Sequence, residues 1–293
     1  MCPDGVSCDC RKGLLEVLDN GSCEDANLQE FSELLIANSE FIPTLYRFSP
    51  ADYNNIRALE TNKLFLSKAG TMNDIFEGLS GYADEEMLKH LEQLGDLAFL
   101  KCFTEKHDNL LMWAHYADNY AGMCVAYDFT QAQELLLRHL FPVVYKKERF
   151  SHQPLKYAHD DLANLKRALE DFDSITEENA LLNVMSAFLV KSEAWKEEYE
   201  WRILYTYSHL YLTSENVGKG NAFYHELVQS KKGKLFTSEE LLCLPAPPIT
   251  DVYLGPKMPQ HIKDHIKEIA KARNICVHEM QMDKEKYALT EAY

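Results

Sequence analysis

Three charged residues that alternate along one stretch, Glu198, Glu200 and Arg202, could form a reactive site. From Tyr199 onward the hydrophobic residues recur with a period of two, which predicts a β-strand with two unlike faces. The charged residues then share one face, with about 6.8 Å between successive members. Two carboxylates this close raise each other's pKa unless a cation such as Arg202 or Lys191 compensates. This face is either a set of satisfied ion pairs or a site where Glu200 orients a ribose hydroxyl or stabilises a cationic transition state, as glycosidic chemistry requires.

Two other groups of polar residues could line a site with these glutamates. Tyr46 and Arg47 lie on the first strand that the sequence predicts, and Asn73 and Asp74 lie in a glycine-bounded loop. Asn and Asp side chains readily accept hydrogen bonds from backbone N–H groups two residues further on, so this loop could simply fold on its own side chains. Alternatively Asp74 lines a pocket, because loops between strands often carry function.

A short predicted helix carries Trp113, His115 and Tyr116. Trp113 and Tyr116 are three residues apart and share one face of the helix, as expected for an aromatic edge of the core whose polar tips bond to neighbours. His115 points elsewhere by the helical period. It is either a structural hydrogen-bonding residue or a catalytic or ligand-binding group.

Strands and helices alternate along the chain that must position these residues. Strands are predicted at 44–48, 63–67, 97–104, 123–129, 142–145, from 199, at 249–255 and at 275–280, and helices at 50–61, 110–118, 131–140, over most of 155–195 and at 261–272. Pro245 to Pro248 is expected to be a rigid connector. The last strand, helix and strand predict one parallel crossover. The fold class is therefore α+β, with a mixed, largely antiparallel sheet flanked by helices in a single domain over residues 43–293.

The composition of the 293 residues, with 46% hydrophobic and 26% charged, is typical of a globular protein. The formal net charge of −16 weighs against a partner such as duplex nucleic acid, which needs clustered Lys and Arg. No run approaches the ~20 apolar residues of a membrane span, and the N-terminus lacks the features of a signal peptide. We therefore expect a cytoplasmic protein with no membrane partner, whose ligand is a small molecule or a nucleotide.

Residues 1–42 differ from the rest and are predicted to form an acidic, helical N-terminal extension. Nine Asp or Glu against two Lys or Arg give this segment a charge of −7. Its cysteines are Cys2, Cys8, Cys10 and Cys23, with five, one and twelve residues between successive members. This spacing does not match the paired knuckles of a zinc site, so these cysteines are expected to be thiols and no zinc site is predicted in this segment.

Five motifs together resemble a known family. They are Leu45-Tyr46-Arg47-Phe48, Met72-Asn73-Asp74-Ile75-Phe76-Glu77-Gly78, Cys102-Phe103-Thr104-Glu105, Leu111 to Asp118, and the run of Lys191, Trp195, Glu198, Glu200, Trp201 and Arg202. In this order they resemble the large bacterial domain-of-unknown-function family twenty-nine seventy-one, over about Thr44 to Gly255. Ile75 stands where the family usually has proline. The family name implies no activity.

A second set of residues resembles ADP-ribosyltransferases of the arginine–serine–glutamate type. Arg47, Ser67 and Glu198-Tyr199-Glu200 occur in the order of that set. The resemblance implies that Arg47 anchors a phosphate of NAD, that Ser67 supports the site and that Glu200 holds the nicotinamide ribose. Arginine suits a phosphate because its planar fork bonds in a bidentate manner.

Three functions follow as hypotheses. The first is NAD-dependent ADP-ribosyl transfer or NAD cleavage, with NAD as substrate rather than resident cofactor. Its catalytic residues would be Glu200, Glu198 and His115, and its binding residues Tyr46, Arg47, Ser67, Asn73, Asp74, Trp113, Tyr116 and Arg202. The second is a metal-dependent hydrolase or nuclease that holds Mg²⁺ with Asp74, Glu77, Glu198 and Glu200. The third is a non-enzymatic ligand-sensing or interaction domain of a defence or toxin system.

Overall fold

The computed structural model of the chain describes residues 11–12, 42, 44–69, 72–74, 76, 98–148, 188–206 and 243–292. The strands within these ranges are β1 (Leu45–Ser49), β2 (Lys63–Phe65), β3 (Ser67–Lys68), β4 (Ala98–Thr104), β5 (Met123–Tyr127), β6 (Leu140–Pro142), β7 (Val144–Lys146), β8 (Val190–Ser192), β9 (Glu200–Thr206), β10 (Cys243–Pro245), β11 (Ile249–Leu254), β12 (Cys276–Met282) and β13 (Leu289–Glu291). The α-helices are α1 (Tyr53–Thr61), α2 (Leu110–Tyr116), α3 (Glu134–Leu137) and α4 (Gln260–Arg273), and 3-10 turns lie at Phe129–Gln131 and Glu193–Glu198.

Nine of the described strands form one mixed sheet, in the order β13-β12-β11-β5-β1-β4-β9-β6, with β3 also paired to β4. Its neighbouring strands are antiparallel except for β11 and β12, which α4 connects as a parallel crossover. Two small two-stranded sheets, β10 with β2 and β7 with β8, lie beside it. This architecture confirms the predicted α+β class, the largely antiparallel sheet and the C-terminal strand–helix–strand unit.

The sheet is weakly joined between β1 and β4. A single residue pair, Tyr46 with Thr104, connects these strands, whereas five pairs connect β1 to β5 and seven connect β4 to β9. Further along β4 the neighbour is β3, which pairs at Phe99 and Leu100. Between these two pairings Arg47 lies in a gap, where its Nη1 donates to the carbonyl oxygen of Cys102 at 3.3 Å.

Each face of the sheet has its own hydrophobic core. One core contains the side chains of Trp201, Ile203 and Tyr205, and the other contains Trp113 and Phe48. The alternation predicted for β9 is confirmed, because Trp201 and its apolar partners share one core while Glu200 and Arg202 lie on the opposite face. Trp201 therefore has a packing role.

Several predicted element boundaries are wrong, and a specific interaction explains two of them. The helix predicted at 50–61 begins only at Tyr53, because Asp52 caps it by accepting the N–H of Asn55 at 2.9 Å. The helix predicted at 131–140 is reduced to α3, since Leu140, Phe141 and Pro142 pair with β9 as a strand.

The predicted strand at 142–145 is divided between β6 and β7. The predicted helical region 155–195 ends instead in β8, which pairs in parallel with β7 through Val144 and Val190. Pro245, expected in a connector, is the last residue of β10. Residues 155–187 lie outside the described residues.

Two predictions fall mainly outside the described residues. Of the N-terminal extension 1–42, only residues 11–12 and 42 are described, so the helix expected there and the domain boundary at 42 stay predictions. Arg11 belongs to this part and bonds to the main domain, where its Nη2 donates to Glu105 at 2.6 Å and its Nη1 to the carbonyl oxygens of Val143 and Glu200 at 3.3 Å. None of the described helices is long and apolar enough to span a membrane.

Candidate functional site

A cleft opens beside the gap between β1 and β4 and is bordered by α2 and the start of β9. Its volume, counted with the open mouth, is about 470 Å³. The residues that line it come from five separate stretches of the chain and are Tyr46, Arg47, Phe48, Met72, Asn73, Cys102, Phe103, Met112, Tyr116, Lys191, Glu198, Glu200 and Arg202. Seven of the residues predicted to form a site therefore meet here: Tyr46, Arg47, Asn73, Tyr116, Glu198, Glu200 and Arg202.

The two glutamates reach the cleft from different elements. Glu198 ends the 3-10 turn, which the side chain of Ser192 caps by accepting the N–H of Ala194. Tyr199 then takes a left-handed conformation with φ of 47°, and this reverses the chain so that β9 starts at Glu200. Glu198 is therefore not on the strand that the sequence predicted, although its side chain still lies beside that of Glu200. The backbone of the turn is held where Thr104 Oγ1 donates to the carbonyl oxygen of Glu198 at 2.6 Å.

Two cations hold the two carboxylates of the cleft. Lys191 Nζ lies 2.5 Å from Glu198 Oε2 and 3.3 Å from Glu200 Oε2. Arg202 donates from Nε to Glu200 Oε1 at 2.8 Å and from Nη2 to Glu200 Oε2 at 3.2 Å, and its Nη1 donates to the carbonyl oxygen of Phe188. All four side chains are buried. Removing one member would leave a buried charge without compensation, which costs far more than losing an ion pair at the surface.

The environments of the two carboxylates drive their pKa values apart. Burial acts to raise the pKa of Glu200, but the charges and hydrogen bonds of Arg202 and Lys191 outweigh it and lower the pKa to about 2. Burial also raises the pKa of Glu198, where Lys191 opposes the effect and the charge of Glu200 adds to it. Glu200 is thus a fixed anion, and Glu198 is the more readily protonated of the two.

A tyrosine and an asparagine extend this network to the wall of the cleft. Tyr116 Oη donates to Glu198 Oε1 at 2.7 Å and accepts from Asn73 Nδ2 at 3.1 Å. Burial and the nearby charge of Glu198 raise the pKa of Tyr116, so its hydroxyl keeps its proton at neutral pH. Direct hydrogen bonds therefore link Asn73 of the loop, Tyr116 of α2 and Glu198 of the 3-10 turn.

Four residues predicted to belong to the site do not line the cleft. His115 is exposed, and its ring lies edge-on to that of Tyr116 at 6.3 Å between centroids. Trp113 is fully buried in the core and donates from Nε1 to the carbonyl oxygen of His107 at 2.8 Å. Asp74 accepts the N–H of Phe76 at 3.0 Å, which is the self-folded loop that the sequence also allowed. Ser67 pairs with Leu100 on β3.

A comparison with known protein families tests the family resemblance that the motifs suggest. The model of the family described as "Protein of unknown function (DUF2971)" matches residues 112–203. The family resemblance is confirmed over these residues. The matched region runs from α2 through β9 and supplies Met112, Tyr116, Lys191, Glu198, Glu200 and Arg202 to the cleft. The chain matches no curated protein and no solved structure, and similarity to ADP-ribosyltransferases is not shown.

Some residues of the cleft were not predicted as site residues. Lys191 stands at the start of the family motif, where the sequence suggests a compensating cation, and in the structure it bonds both glutamates. Cys102 lies opposite Arg202 in the pairing of β4 with β9, on the same face of the sheet. The alternation along β4 indicates which residues share a face with Cys102. Its partner depends on a register that a single sequence does not show.

The three proposed metal ligands that the structure describes, Asp74, Glu198 and Glu200, do not form a metal-binding cluster. Among the residues that the structure describes, no group of three or more His, Cys, Asp or Glu side chains could hold a metal ion. Glu198 and Glu200 are paired with Lys191 and Arg202, and Asp74 does not line the cleft. Glu77, the fourth residue of that hypothesis, lies outside the described residues.

Proposed function

We propose that the cleft binds a phosphate-bearing nucleotide and that its carboxylates act on the glycosidic bond between ribose and nicotinamide in NAD. The observation that carries this proposal is the meeting of Arg47 with Glu198 and Glu200 in one cleft. An arginine for a phosphate and a carboxylate for a ribose are the two groups that such a reaction requires from the protein.

The charges around the cleft favour an anionic ligand. Arg47, Lys191 and Arg202 carry three positive charges against two on the glutamates, in a chain whose formal net charge is −16. Lys191 and Arg202 are bound to carboxylates, but Arg47 has no carboxylate partner within the described part of the chain. A local excess of positive charge inside an acidic protein concentrates negatively charged ligands at that point.

The two carboxylates can take different roles because their pKa values differ in direction. Cleavage of the bond to nicotinamide sends its electron pair to the departing ring and leaves positive charge on the ribose carbon. Glu200, held as an anion with a pKa of about 2, would stabilise that charge. Glu198, whose pKa is raised, would accept the hydrogen bond of a ribose hydroxyl and take up a proton from the attacking nucleophile.

The walls of the cleft suit a planar ring. Tyr46, Phe48, Met72 and Met112 border it beside the charged base. Ligand pockets usually combine such apolar and aromatic walls with a few fixed polar groups. Thioether side chains also adapt their shape to a ring that packs against them.

Two measurements test the proposal, namely NAD binding by calorimetry and nicotinamide release by chromatography. We expect Arg47→Ala to weaken NAD binding at least about tenfold, since one charge-assisted phosphate contact is lost. Glu198→Gln should keep most of the binding and lose release. Arg138→Ala is the matched control, because Arg138 is half-exposed on the surface beside Glu134 and does not line the cleft. Absence of binding at millimolar NAD together with absence of release would refute the proposal.

A ligand-sensing role is the second candidate, and the pairing within the cleft favours it. All four carboxylate oxygens of Glu198 and Glu200 already accept from Tyr116, Lys191 or Arg202. A site that binds without turnover needs no free carboxylate. NAD binding that depends on Arg47, with no nicotinamide released by the wild type over hours, would identify this role.

A further inference from the structure

A second cavity lies on the other side of β1 from the cleft, between the sheet and α1. Its volume, counted with the open mouth, is about 290 Å³, and its lining includes Arg47, Ser49, Lys101, Tyr127 and Asn55. Alternation along β1 explains the two sites, because Tyr46 and Phe48 line the cleft while Ser49 lines the second cavity. Arg47, in the gap beside β4, borders both.

Two cations in this cavity have no anionic partner in the ranges that the structure describes. Lys101 is only 6% exposed, and its Nζ donates to the carbonyl oxygen of Phe65 at 2.7 Å. Arg47 donates to the carbonyl oxygen of Cys102. The carboxylate of Asp52 acts on both from a distance but is engaged in capping α1, where its Oδ1 accepts from Asn55 N and Nδ2 at 2.9 Å.

Two buried hydroxyl groups of the same cavity also lack partners in the part of the chain that the structure describes. Ser49 is 3% exposed and Tyr127 is 4% exposed, and neither side-chain hydroxyl makes a hydrogen bond among the described residues. Buried polar groups are nearly always bonded, to protein, water or an ion. Two unbonded hydroxyls beside two unpaired cations therefore indicate a site that receives an acceptor from outside the chain.

This arrangement of charge is unfavourable without such an acceptor. Burial lowers the pKa of Lys101 well below its usual value, and the positive charge of Arg47 lowers it further. Burial lowers the pKa of Arg47 as well. Buried charges are normally paired, because an uncompensated one costs several kcal/mol. An anion between the two groups would restore both charges to a favourable state.

We propose that this cavity is a binding site for a small tetrahedral oxyanion of the phosphate or sulfate class. The guanidinium fork of Arg47 and the ammonium of Lys101 supply charge-assisted donors, and Ser49 and Tyr127 supply hydroxyl donors. An oxyanion presents several acceptor oxygens to these four groups, whereas a simple halide presents one centre. Arg47 is shared with the cleft, whereas Lys101, Ser49 and Tyr127 do not line it, so substitutions at these three residues test the oxyanion site separately from NAD turnover.

Thermal unfolding of the full chain tests this site. The probe is inorganic phosphate or sulfate at low millimolar concentration, exchanged for chloride at constant ionic strength so that general salt effects stay small. We expect the oxyanion to raise the Tm of the wild type by about 3 °C. Lys101→Met should remove this rise, and in chloride it should be at least as stable as the wild type, because an unpaired buried cation has been replaced by an apolar chain of similar length.

Conservative variants and a control complete the test. Tyr127→Phe and Ser49→Ala each remove one hydroxyl, and both should reduce the oxyanion-dependent rise even if Lys101→Met does not fold. Lys257→Met is the control, because Lys257 lies over the ring of Tyr120 and does not line the cavity, so it should respond as the wild type does. An equal rise in the wild type, Lys101→Met and Tyr127→Phe would overturn the proposal, as would a wild type whose Tm does not respond.

Discussion

At the scale of single residues, the cleft depends on how completely Glu200 is paired. Its side chain accepts from Arg202 twice and lies within 3.3 Å of Lys191. Arg202 is 1% exposed, so water would replace this carboxylate poorly. The charge of Glu200 therefore has a structural role.

Replacing Glu200 by glutamine should destabilise the fold strongly. The substitution keeps the shape but leaves Arg202 buried beside a neutral amide, and breaking a buried pair from one side costs about 3–5 kcal/mol. Urea unfolding measures this loss. Glu134→Gln is the control, because Glu134 pairs with Arg138 at the exposed surface and such pairs contribute about 0–1 kcal/mol. Similar losses in the two variants would contradict the pairing described for Glu200.

The low pKa of Glu200 predicts how stability changes with acid. The pKa is about 2 in the folded chain against an ordinary value of 4.5, so the folded state binds this proton less readily than the unfolded state. The stabilisation is therefore complete above about pH 4.5 and is lost as the pH falls towards 2, by up to about 3 kcal/mol. Unfolding free energies between pH 6 and pH 2.5 should fall more steeply for the wild type than for Glu200→Gln. Parallel curves would exclude this role.

Residue roles could be predicted where they follow from the period of a strand. The alternation of Trp201 and Arg202 correctly separated a core residue from a polar one. The link from Tyr116 to Glu198 could not be predicted, because it joins residues 82 positions apart through a left-handed residue at Tyr199. Residue type alone suggests a role for His115, but residue type does not determine that α2 turns this side chain to solvent.

At the scale of elements, the placement of α2 depends on Asn109. Its Oδ1 accepts from the N–H groups of Leu111 and Met112 and so caps the helix. Its Nδ2 donates to the carbonyl oxygen of Glu197 at 2.7 Å, in the turn that presents Glu198. Asn109 thus caps α2, which carries Tyr116, and also bonds α2 to the 3-10 turn that carries Glu198, the hydrogen-bond partner of Tyr116.

Two substitutions at Asn109 separate its capping of α2 from its hydrogen bond to the carbonyl oxygen of Glu197. Asn109→Ala removes both interactions. It should lower the free energy of unfolding by about 1–2 kcal/mol through the lost cap, with a further loss from the hydrogen bond to Glu197. Asn109→Ser keeps a capping oxygen and loses only the donor to Glu197, so its loss in urea unfolding should be the smaller of the two. Equal losses would show that capping contributes nothing here.

Element types were predicted well where the pattern was local and poorly where pairing decided the outcome. The helix predicted at 110–118 follows from residue type and spacing, and the structure contains it as α2. Residues 140–142 read as the end of a helix, yet they form β6 because β9 offers them a partner. A strand that forms because a distant strand pairs with it is difficult to predict from its own residues.

At the scale of the whole molecule, the C-terminal strands are joined by one histidine. His278 on β12 lies 2.8 Å from Asp251 Oδ1 on β11 and 2.7 Å from Glu291 Oε2 on β13. Its ring stacks on Tyr253, which stacks in turn on His107, and His107 lies against Tyr46 at the cleft. A continuous row of rings therefore connects the edge of the sheet to the candidate site.

This histidine should make the fold less stable in alkaline solution. Partial burial acts to lower the pKa of His278, but its bonds to Asp251 and Glu291 outweigh this and raise the pKa above 6.5. Its stabilisation is thus complete below about pH 6.5 and is lost as the pH rises through the raised value. Between pH 6 and pH 9 the Tm of the wild type should fall more than that of His278→Gln. An identical decline in the two proteins would rule out protonation of His278 as the cause.

The fold class could be predicted because alternation and helical spacing are visible along the chain, as in β9 and α4. The order of the strands could not, since it depends on pairings such as Ser67 with Leu100 that no local pattern encodes. The cleft likewise could not be predicted, because it depends on the order and pairing of the strands. It exists because β4 has two different neighbours along one edge.

The single residue pair between β1 and β4 gives the sheet an uneven mechanical compliance. Tyr46 with Thr104 is the only register pair to break if these strands move apart, whereas β4 and β9 would have to break seven. Strain applied to the sheet therefore concentrates at this seam. A ligand that bridges Arg47 and Glu198 would add contacts across this seam. It would therefore stiffen the sheet where β1 and β4 are joined by the fewest residue pairs.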